Sequence, residues 1–270
     1  MSTSLPPVPP VTVILPAGRR PGVTDPLAAA RGLSFKAHVA VSGEAMLSRV
    51  VKILLACPGV ARIVLLSQEP EALTAFADCR WLAGHEKIQF ERSTSSISAS
   101  VHRLLSSGRV TYPAVLTTAD HVLLTPDMFQ HFITHAVAAH PDIAVAMVER
   151  QTVLRAYPDN HRTWLKFTDG WWSGANMFGL FSARVLPALE LWQNIEQDRK
   201  KGWKIVAAFG PWLLLRVLLK SISLRDGLAK AGARLGLKAS LVAMPMAEAC
   251  IDVDKESDLV LAEKILAARG

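Results

Sequence analysis

The sequence predicts a three-layer α/β/α protein built on a mostly parallel sheet, with a small mixed hairpin and helical lobe toward its C-terminal end. Three observations carry this. Apolar runs of strand length recur from Val11 onward. Segments with helical apolar spacing separate them, an alternation that implies parallel strands covered on both faces. Beyond Arg150 the alternation gives way to hairpin-like strands and two apolar helical stretches.

Val11–Leu15 is a continuous apolar run of the kind buried on both faces, and it opens into the turn Pro16-Ala17-Gly18. A Pro- and Gly-punctuated loop follows through Gly32, then a short extended piece over Ala37–Val41. Met46, Leu47, Val50, Ile53 and Leu54 set a helix over Ala45–Ala56, stopped by Pro58-Gly59. Strands are predicted at Ala61–Leu66, Lys87–Glu91, Ala114–Thr118 and Ile143–Val148. Helices are predicted from Ala72 to Phe76, Ser98 to Ser107 and Pro126 to about Ala139, the last using the tolerance for proline in a first helical turn. The second half offers strands at Thr163–Phe167, Asn176–Phe181 and Ala239–Ala243, and helices at Pro187–Lys201, Pro211–Lys220 and Glu256–Ala268. No internal repeat is found.

At 270 residues the chain suits one substantial core more than two independent domains. We divide it into a flexible leader over 1–10 and one domain over 11–270. The domain comprises a nucleotide-side half (11–150), an acceptor-side lobe (151–250) and a closing segment (251–270). Half of the residues are hydrophobic and 20% are charged, a profile that excludes a disordered chain. The net charge of +7 suits anionic partners, but Lys and Arg are scattered and do not interleave with stacking aromatics, so nucleic acid is not expected. Cys57, Cys79 and Cys250 lack any metal or disulfide spacing, which fits a reducing cytoplasm. The leader lacks the basic start and apolar run of a secretory signal. The apolar stretch 205–219 is broken by Gly210-Pro211 and carries Arg216, so no transmembrane helix is expected.

In an open α/β sheet, ligands bind at the carboxyl ends of the strands. That places Pro16–Arg20 and Asp120 on one rim, and four motifs are candidates for chemistry. Ala17-Gly18-Arg19-Arg20 can bring backbone N–H groups and two guanidiniums to a phosphate, though an ordinary turn with solvated arginines has the same composition. Lys36 follows the loop and precedes the Gly43 turn, where a surface lysine is the plain alternative. Asp120 ends the strand Ala114–Thr118, where a divalent cation on phosphate oxygens needs a hard oxygen ligand and where a turn cap is the alternative. Asp252 and Asp254 occupy alternate positions of an extended segment before the last helix, so a side chain there can face a metal while its chain neighbour points elsewhere.

In order and spacing these motifs together resemble the nucleotidyltransferases of the glycosyltransferase-A-like, Rossmann-like fold. The group in question is similar to molybdopterin guanylyltransferase and to the cytidylyltransferases of isoprenoid and polyol-phosphate metabolism. The matching stretches are Ile14-Leu-Pro-Ala-Gly-Arg19, the lysine motif Lys36–Leu47, Thr118-Ala-Asp120 and Ile251-Asp-Val-Asp254. The resemblance implies transfer of a nucleoside monophosphate from an NTP to a phosphorylated small molecule (a sugar, polyol or lipid-precursor phosphate), with release of pyrophosphate. It leans to CTP over GTP. It assigns Lys36, Arg19 and Asp120 to catalysis, and Leu15, Pro16, Ala17, Gly18, Arg19, Arg20, Lys36, Ser95, Ser96 and Ala119 to the NTP. Gly174 and Asn176 are assigned to the acceptor. Asp120 and Asp254 would hold Mg²⁺ or Mn²⁺, with Asp252 the weaker candidate. Two departures from the family pattern stand out: a single glycine followed by Arg19-Arg20-Pro21-Gly22 in the loop, and Phe35 where proline commonly precedes the lysine.

Three further readings come from the residues. A peripheral membrane contact through 203–220 is suggested by basic residues flanking Trp212 and several leucines, and it also motivates the alternative of an inactive, membrane- or partner-binding relative. The plainer alternative for the same stretch is a lobe helix packing on the core or on a second subunit of a homo-oligomer, and it ranks above the membrane contact. A nucleotide-sugar glycosyltransferase shares the fold but usually carries an Asp-x-Asp pair at the metal strand, where this chain reads Ala119-Asp120-His121, so it ranks lower.

Overall fold

The computed structural model describes residues 8–19, 25–160, 162–196 and 210–269. Its centre is one eight-stranded sheet. In chain order the strands of its main path are β1 (Val11–Pro16), β4 (Val60–Ser67), β5 (Ile88–Arg92), β6 (Ala114–Leu116), β7 (Ile143–Glu149), β9 (Gly170–Leu180) and β10 (Ala239–Ala243). They lie side by side in the order β10-β7-β9-β6-β1-β4-β5, and β8 (Leu165–Phe167) pairs with the start of β9. A separate two-residue ladder joins β2 (Ala40–Val41) to β3 (Glu44–Ala45).

Strand β1 explains the layering. Val11, Val13 and Leu15 enter one apolar cluster, Ile14 enters a second on the opposite face, and all four are fully buried. Burial on both faces is why the run reads as continuously apolar. The larger cluster is covered by α2 (Met46–Ala56), α5 (Pro126–Ala138) and α10 (Glu256–Arg269), which contribute Leu47, Val50, Phe129, Phe132, Leu259 and Ile265. The opposite face is covered by α4 (Ile97–Ser106), which packs against α7 (Leu186–Glu196). The remaining helices are α1 (Pro26–Ala29), α3 (Pro70–Ala75), α6 (Arg150–Ala156), α8 (Pro211–Leu218) and α9 (Leu224–Arg234). No described helix is long and apolar enough to cross a membrane.

Most expected elements appear within a few residues of their predicted bounds. The strand expected over Asn176–Phe181 instead starts at Gly170 and runs antiparallel between β6 and β7 in the middle of the sheet. The Gly-Trp-Trp-Ser-Gly start hides it, because two glycines and a serine break the apolar alternation by which a strand is read. Neither α6 nor α9 is announced by the sequence. Helix α9 has a low apolar content and two glycines, and its position comes from docking on β10. The leader residues 1–7 and the end of the predicted helix Pro187–Lys201 lie outside the described residues.

Gly232 is one place where that docking requires glycine. A Cβ there would stand 2.8 Å from both the Leu237 carbonyl oxygen and the Ala239 Cβ. Helix propensity alone would make Gly232→Ala stabilising by about 1 kcal/mol. Overpacking against backbone reverses the sign, so we expect a loss of about 1–3 kcal/mol in urea unfolding, and a gain would show that α9 sits loosely.

Candidate functional site

The carboxyl ends of β1, β4, β5 and β6 form one rim, because these strands are parallel and in register. After β1, Ala17 N–H bonds the Leu66 carbonyl at 2.8 Å, which starts the loop against β4. Gln68 follows β4 and accepts from Arg19 N–H at 3.1 Å through Oε1, the atom that lies over Gly18 where a side chain would otherwise be. The Arg19 guanidinium meets Glu69 at 2.5 Å and lies 5.7 Å from the centre of the Phe35 ring. Both partners of that ion pair are about half exposed, so opening it costs roughly 0–1 kcal/mol. Leu15 is fully buried in the core, leaving only its main chain for the loop, and Arg20 lies outside the described residues.

Lys36 begins a 3₁₀ turn over Lys36–His38 that the core holds from below. Phe35 is buried, and His38 stacks on Phe76 at 4.5 Å and bonds the Leu73 carbonyl at 3.2 Å. The aromatic residue that replaces the family's proline is thus the anchor of the turn. From it, Lys36 Nζ reaches Asp120 Oδ2 at 2.7 Å and Asp254 Oδ1 at 2.5 Å. The three residues assigned to one centre do converge.

The two carboxylates arrive by different routes. Thr117 N–H bonds the Ile14 carbonyl, continuing the β6 path, and His121 N–H bonds the Thr118 carbonyl to make the turn that presents Asp120. Val253 N–H then bonds the Asp120 carbonyl at 3.1 Å, so the second acidic segment is tied to the first by its backbone. Ile251 and Val253 point into the core, which turns Asp252 and Asp254 outward. Arg31 holds Glu256 through a two-pronged contact at 2.8 and 2.9 Å, pinning the loop before Lys36 to the start of α10.

Electrostatics follow from burial. Desolvation alone would depress the Lys36 ammonium, but the Asp120 and Asp254 carboxylates outweigh it and hold the group above its ordinary value. Asp120 Oδ1 is buried and has no hydrogen-bond partner among the described residues, a lone carboxylate oxygen of the kind that a cation would satisfy. Two carboxylates with one free buried oxygen fit Mg²⁺, which binds one or two carboxylates and completes its shell with phosphate and water.

Asp252 is in a different situation. Its Oδ1 accepts from Arg162 Nη2 at 2.6 Å and its Oδ2 from Asn176 Nδ2 at 2.9 Å, and Arg162 Nε reaches Ser173 at 3.4 Å. Burial would raise this carboxyl, but Arg162 and Asn176 hold it below the usual range. Both oxygens are taken. Asn176 reaches Asp252 because it occupies a bulge opposite β7 with φ +47°, a left-handed conformation that asparagine tolerates better than most residues. Gly174 lies exposed two residues before it, opposite Met147. Arg162 went unnoticed in the sequence, where no motif surrounds it; a lone cation just before a hairpin was the only signal.

At the β5 end, Ser93 N–H bonds the Ser67 carbonyl. Ser96 caps α4 by accepting from Ala99 N–H at 3.1 Å, and Ser95 is exposed on the same rim. The cap is structural work, and it orients the helix start toward the loop after β4. Ala119 is buried beside Asp120.

Two predictions follow from this geometry. Lys36→Met would leave Asp120 half buried and uncompensated, so we expect a loss of about 1–3 kcal/mol in denaturant unfolding, where an ordinary surface lysine would change nothing. His121 is fully buried, and burial pulls its imidazole down to about 4 from 6.5. Because the unfolded chain takes up this proton more readily, its contribution to stability is intact above pH 6.5 and is lost as pH falls toward 4. The loss is of the order of 3 kcal/mol. The His121→Gln variant should show a flatter pH dependence of melting over that window; an unchanged slope would show that other groups govern it.

Comparison with known proteins places this site in context. A hypothetical transferase from Thermus thermophilus superposes with a TM-score of 0.73 at 24% identity, covering 93% of this chain and 99% of its own. The 4-diphosphocytidyl-2C-methyl-D-erythritol synthase of Anaerococcus prevotii gives 0.53 at 9% identity, with 95% and 96% covered. A CMP:2-keto-3-deoxy-manno-octonic acid synthetase complexed with CTP gives 0.56 at 12% identity, with 96% and 99% covered. These likenesses establish the fold. A search of the curated proteins finds no match. The MobA-like NTP transferase domain matches residues 17–211, from the phosphate-loop turn to the start of α8, and the chain therefore belongs to the MobA-like NTP transferase family and is a nucleotidyltransferase.

Proposed function

We propose that this chain transfers a nucleoside monophosphate from CTP, ahead of GTP, to a phosphorylated sugar, polyol or lipid precursor, with Mg²⁺ or Mn²⁺ held by Asp120 and Asp254. The observation that carries the reading is the meeting of Lys36 with both aspartates on the strand rim, beside a buried carboxylate oxygen without a partner. An acceptor phosphate oxygen attacks the α-phosphorus, the bond to the β-phosphate bridging oxygen breaks, and pyrophosphate leaves with that electron pair. No covalent enzyme intermediate is needed, so the protein acts by positioning and by charge.

The bound cation supplies Lewis-acid neutralisation of the phosphate oxygens. The chain's own residues do the rest. Backbone N–H groups of the turn after β1 and the Arg19 guanidinium grip the triphosphate. Lys36 steadies the charge that builds on the transferring phosphate, and Asp120 and Asp254 would hold the cation beside it. The rim beyond β5, with Ser95 and Ser96, takes the nucleobase. Gly174 and Asn176 face the acceptor, with Arg162 and Asp252 fixing the Asn176 amide from behind. The preference for CTP is supported by the resemblance to cytidylyltransferases and by the CTP-bound fold relative.

The test is pyrophosphate release with each NTP, Mg²⁺ and a panel of sugar, polyol and lipid-precursor phosphates, where one pair should turn over. Asp120→Asn should abolish tight Mn²⁺ binding, read from the paramagnetic signal of the free ion. It should also lower turnover by about a hundredfold or more, as expected when charge at the transition state loses its counter-charge. Unchanged Mn²⁺ binding would remove Asp120 from the metal site, and absence of turnover with every pair would overturn the substrate class.

A further inference from the structure

Among the described residues, nine large hydrophobic side chains are exposed, and four of them fall within eight consecutive positions. Trp212, Leu215, Leu218 and Leu219 are 76%, 43%, 65% and 66% exposed. Their spacing of three, three and one places them along one face of α8 and its C-terminal cap. Scattered exposed leucines need no explanation, but a contiguous apolar face on a chain of this size does.

The surroundings of that face are basic. Between Gly210 and Lys238 the chain carries six Lys and Arg residues against the single acid Asp226, which accounts for five of the seven net positive charges of the protein. Lys220, Arg225 and Lys230 are exposed, and none of them forms an ion pair among the described residues. Arg216 spends one N–H group on the Ser221 carbonyl at 3.0 Å, which directs it along the helix end. Apolar side chains with Trp among them, bordered by unpaired cations, match the chemistry of a headgroup layer with an apolar interior beneath it.

We infer that α8 and the start of α9 form a docking surface for an anionic lipid membrane, with Trp212, Leu215, Leu218 and Leu219 entering the headgroup boundary and Lys220, at the C-terminal end of α8, and Arg225, in the first turn of α9, pairing with lipid phosphates. At eight residues α8 is about 12 Å long, far too short to span a bilayer, so it lies in the interface plane. A second copy of this chain is the poorer occupant. An isologous dimer through this face would bring two such basic segments together and oppose the apolar gain with like-charge repulsion.

The surface is held firmly to the catalytic body. Ile222 and Leu224 are buried, Thr168 N–H bonds the Ile222 carbonyl at 3.1 Å, and Leu224 N–H bonds Asp169 Oδ1 at 2.9 Å. These contacts fix the segment to the β8–β9 turn, and β9 carries Gly174 and Asn176. Docking would thus bring the acceptor half of the molecule to the membrane. The inference itself stands on the α8 face and not on the identity of the reaction.

The experiment is flotation of the full chain with vesicles of phosphatidylcholine alone and of phosphatidylcholine mixed with phosphatidylglycerol. We expect flotation with the anionic vesicles only, reversed by high salt. Trp212→Ser with Leu219→Ser, and separately Lys220→Glu with Arg225→Glu, should each lower the bound fraction by about tenfold or more. All of these side chains are solvent-exposed, and unchanged thermal melting would confirm that both variants fold. The inference is overturned if the wild-type chain stays unbound with anionic vesicles, or if either double variant floats like wild type. It is also overturned if sedimentation equilibrium shows a dimer that Trp212→Ser dissolves while no vesicle binding is seen, which would make the face a subunit interface.

Discussion

The candidate site depends on a single charge arrangement: one ammonium, Lys36 Nζ, standing between two carboxylates that would otherwise repel each other. Asp120 and Lys36 are each only about a fifth exposed, so neither is fully relieved by water, while Asp254 is two-thirds exposed. The lysine therefore satisfies an inner carboxylate and a solvent-facing one at once. Neutralisation by one ammonium avoids leaving two negative charges facing each other in a partly buried place. The price is a deeper requirement on the backbone, since positions 36, 120 and 254 must be brought together by the fold and not by local sequence.

That requirement is met by main-chain contacts. The path from β6 to Asp120 is an extension of the sheet, and Val253 N–H to the Asp120 carbonyl carries it across to the closing segment. The alternation of Ile251 and Val253 inward with Asp252 and Asp254 outward then separates two functions along three residues. Asp254 joins the lysine, whereas Asp252 receives Arg162 and Asn176 and ties the closing segment to β9. A one-residue slip would exchange carboxylates for core aliphatics, which explains why the buried residues of this segment matter as much as the charged ones.

Strand β9 gives the molecule its asymmetry. Running antiparallel between β6 and β7, it joins the parallel strands β6, β1, β4 and β5 to β7 and β10, and its bulge at Asn176 brings an amide to Asp252. The β8–β9 turn then anchors the basic segment around α8. Asn176 on β9 and the segment around α8 are thereby linked through one hairpin.

Periodicity and composition were enough to predict the layered α/β architecture and the rim at the strand ends, because apolar runs and turn residues act locally, whereas Lys36, Asp120 and Asp254 were singled out together only by the resemblance of their motifs, in order and spacing, to a nucleotidyltransferase family. The same local signals failed at Gly170–Leu180, where glycines mask a central strand, and at α9, whose helical pattern is weak and whose place is set by β10. They also missed Gln68 and Arg162, whose positions near the site exist only through the packing of distant segments. Whether Asp252 or Asp254 faces the lysine could not be read from an Asp-x-Asp spacing, since both project from the same side of an extended chain. Tertiary structure decided it, by supplying Arg162 and Asn176 to one carboxylate and leaving the other for Lys36.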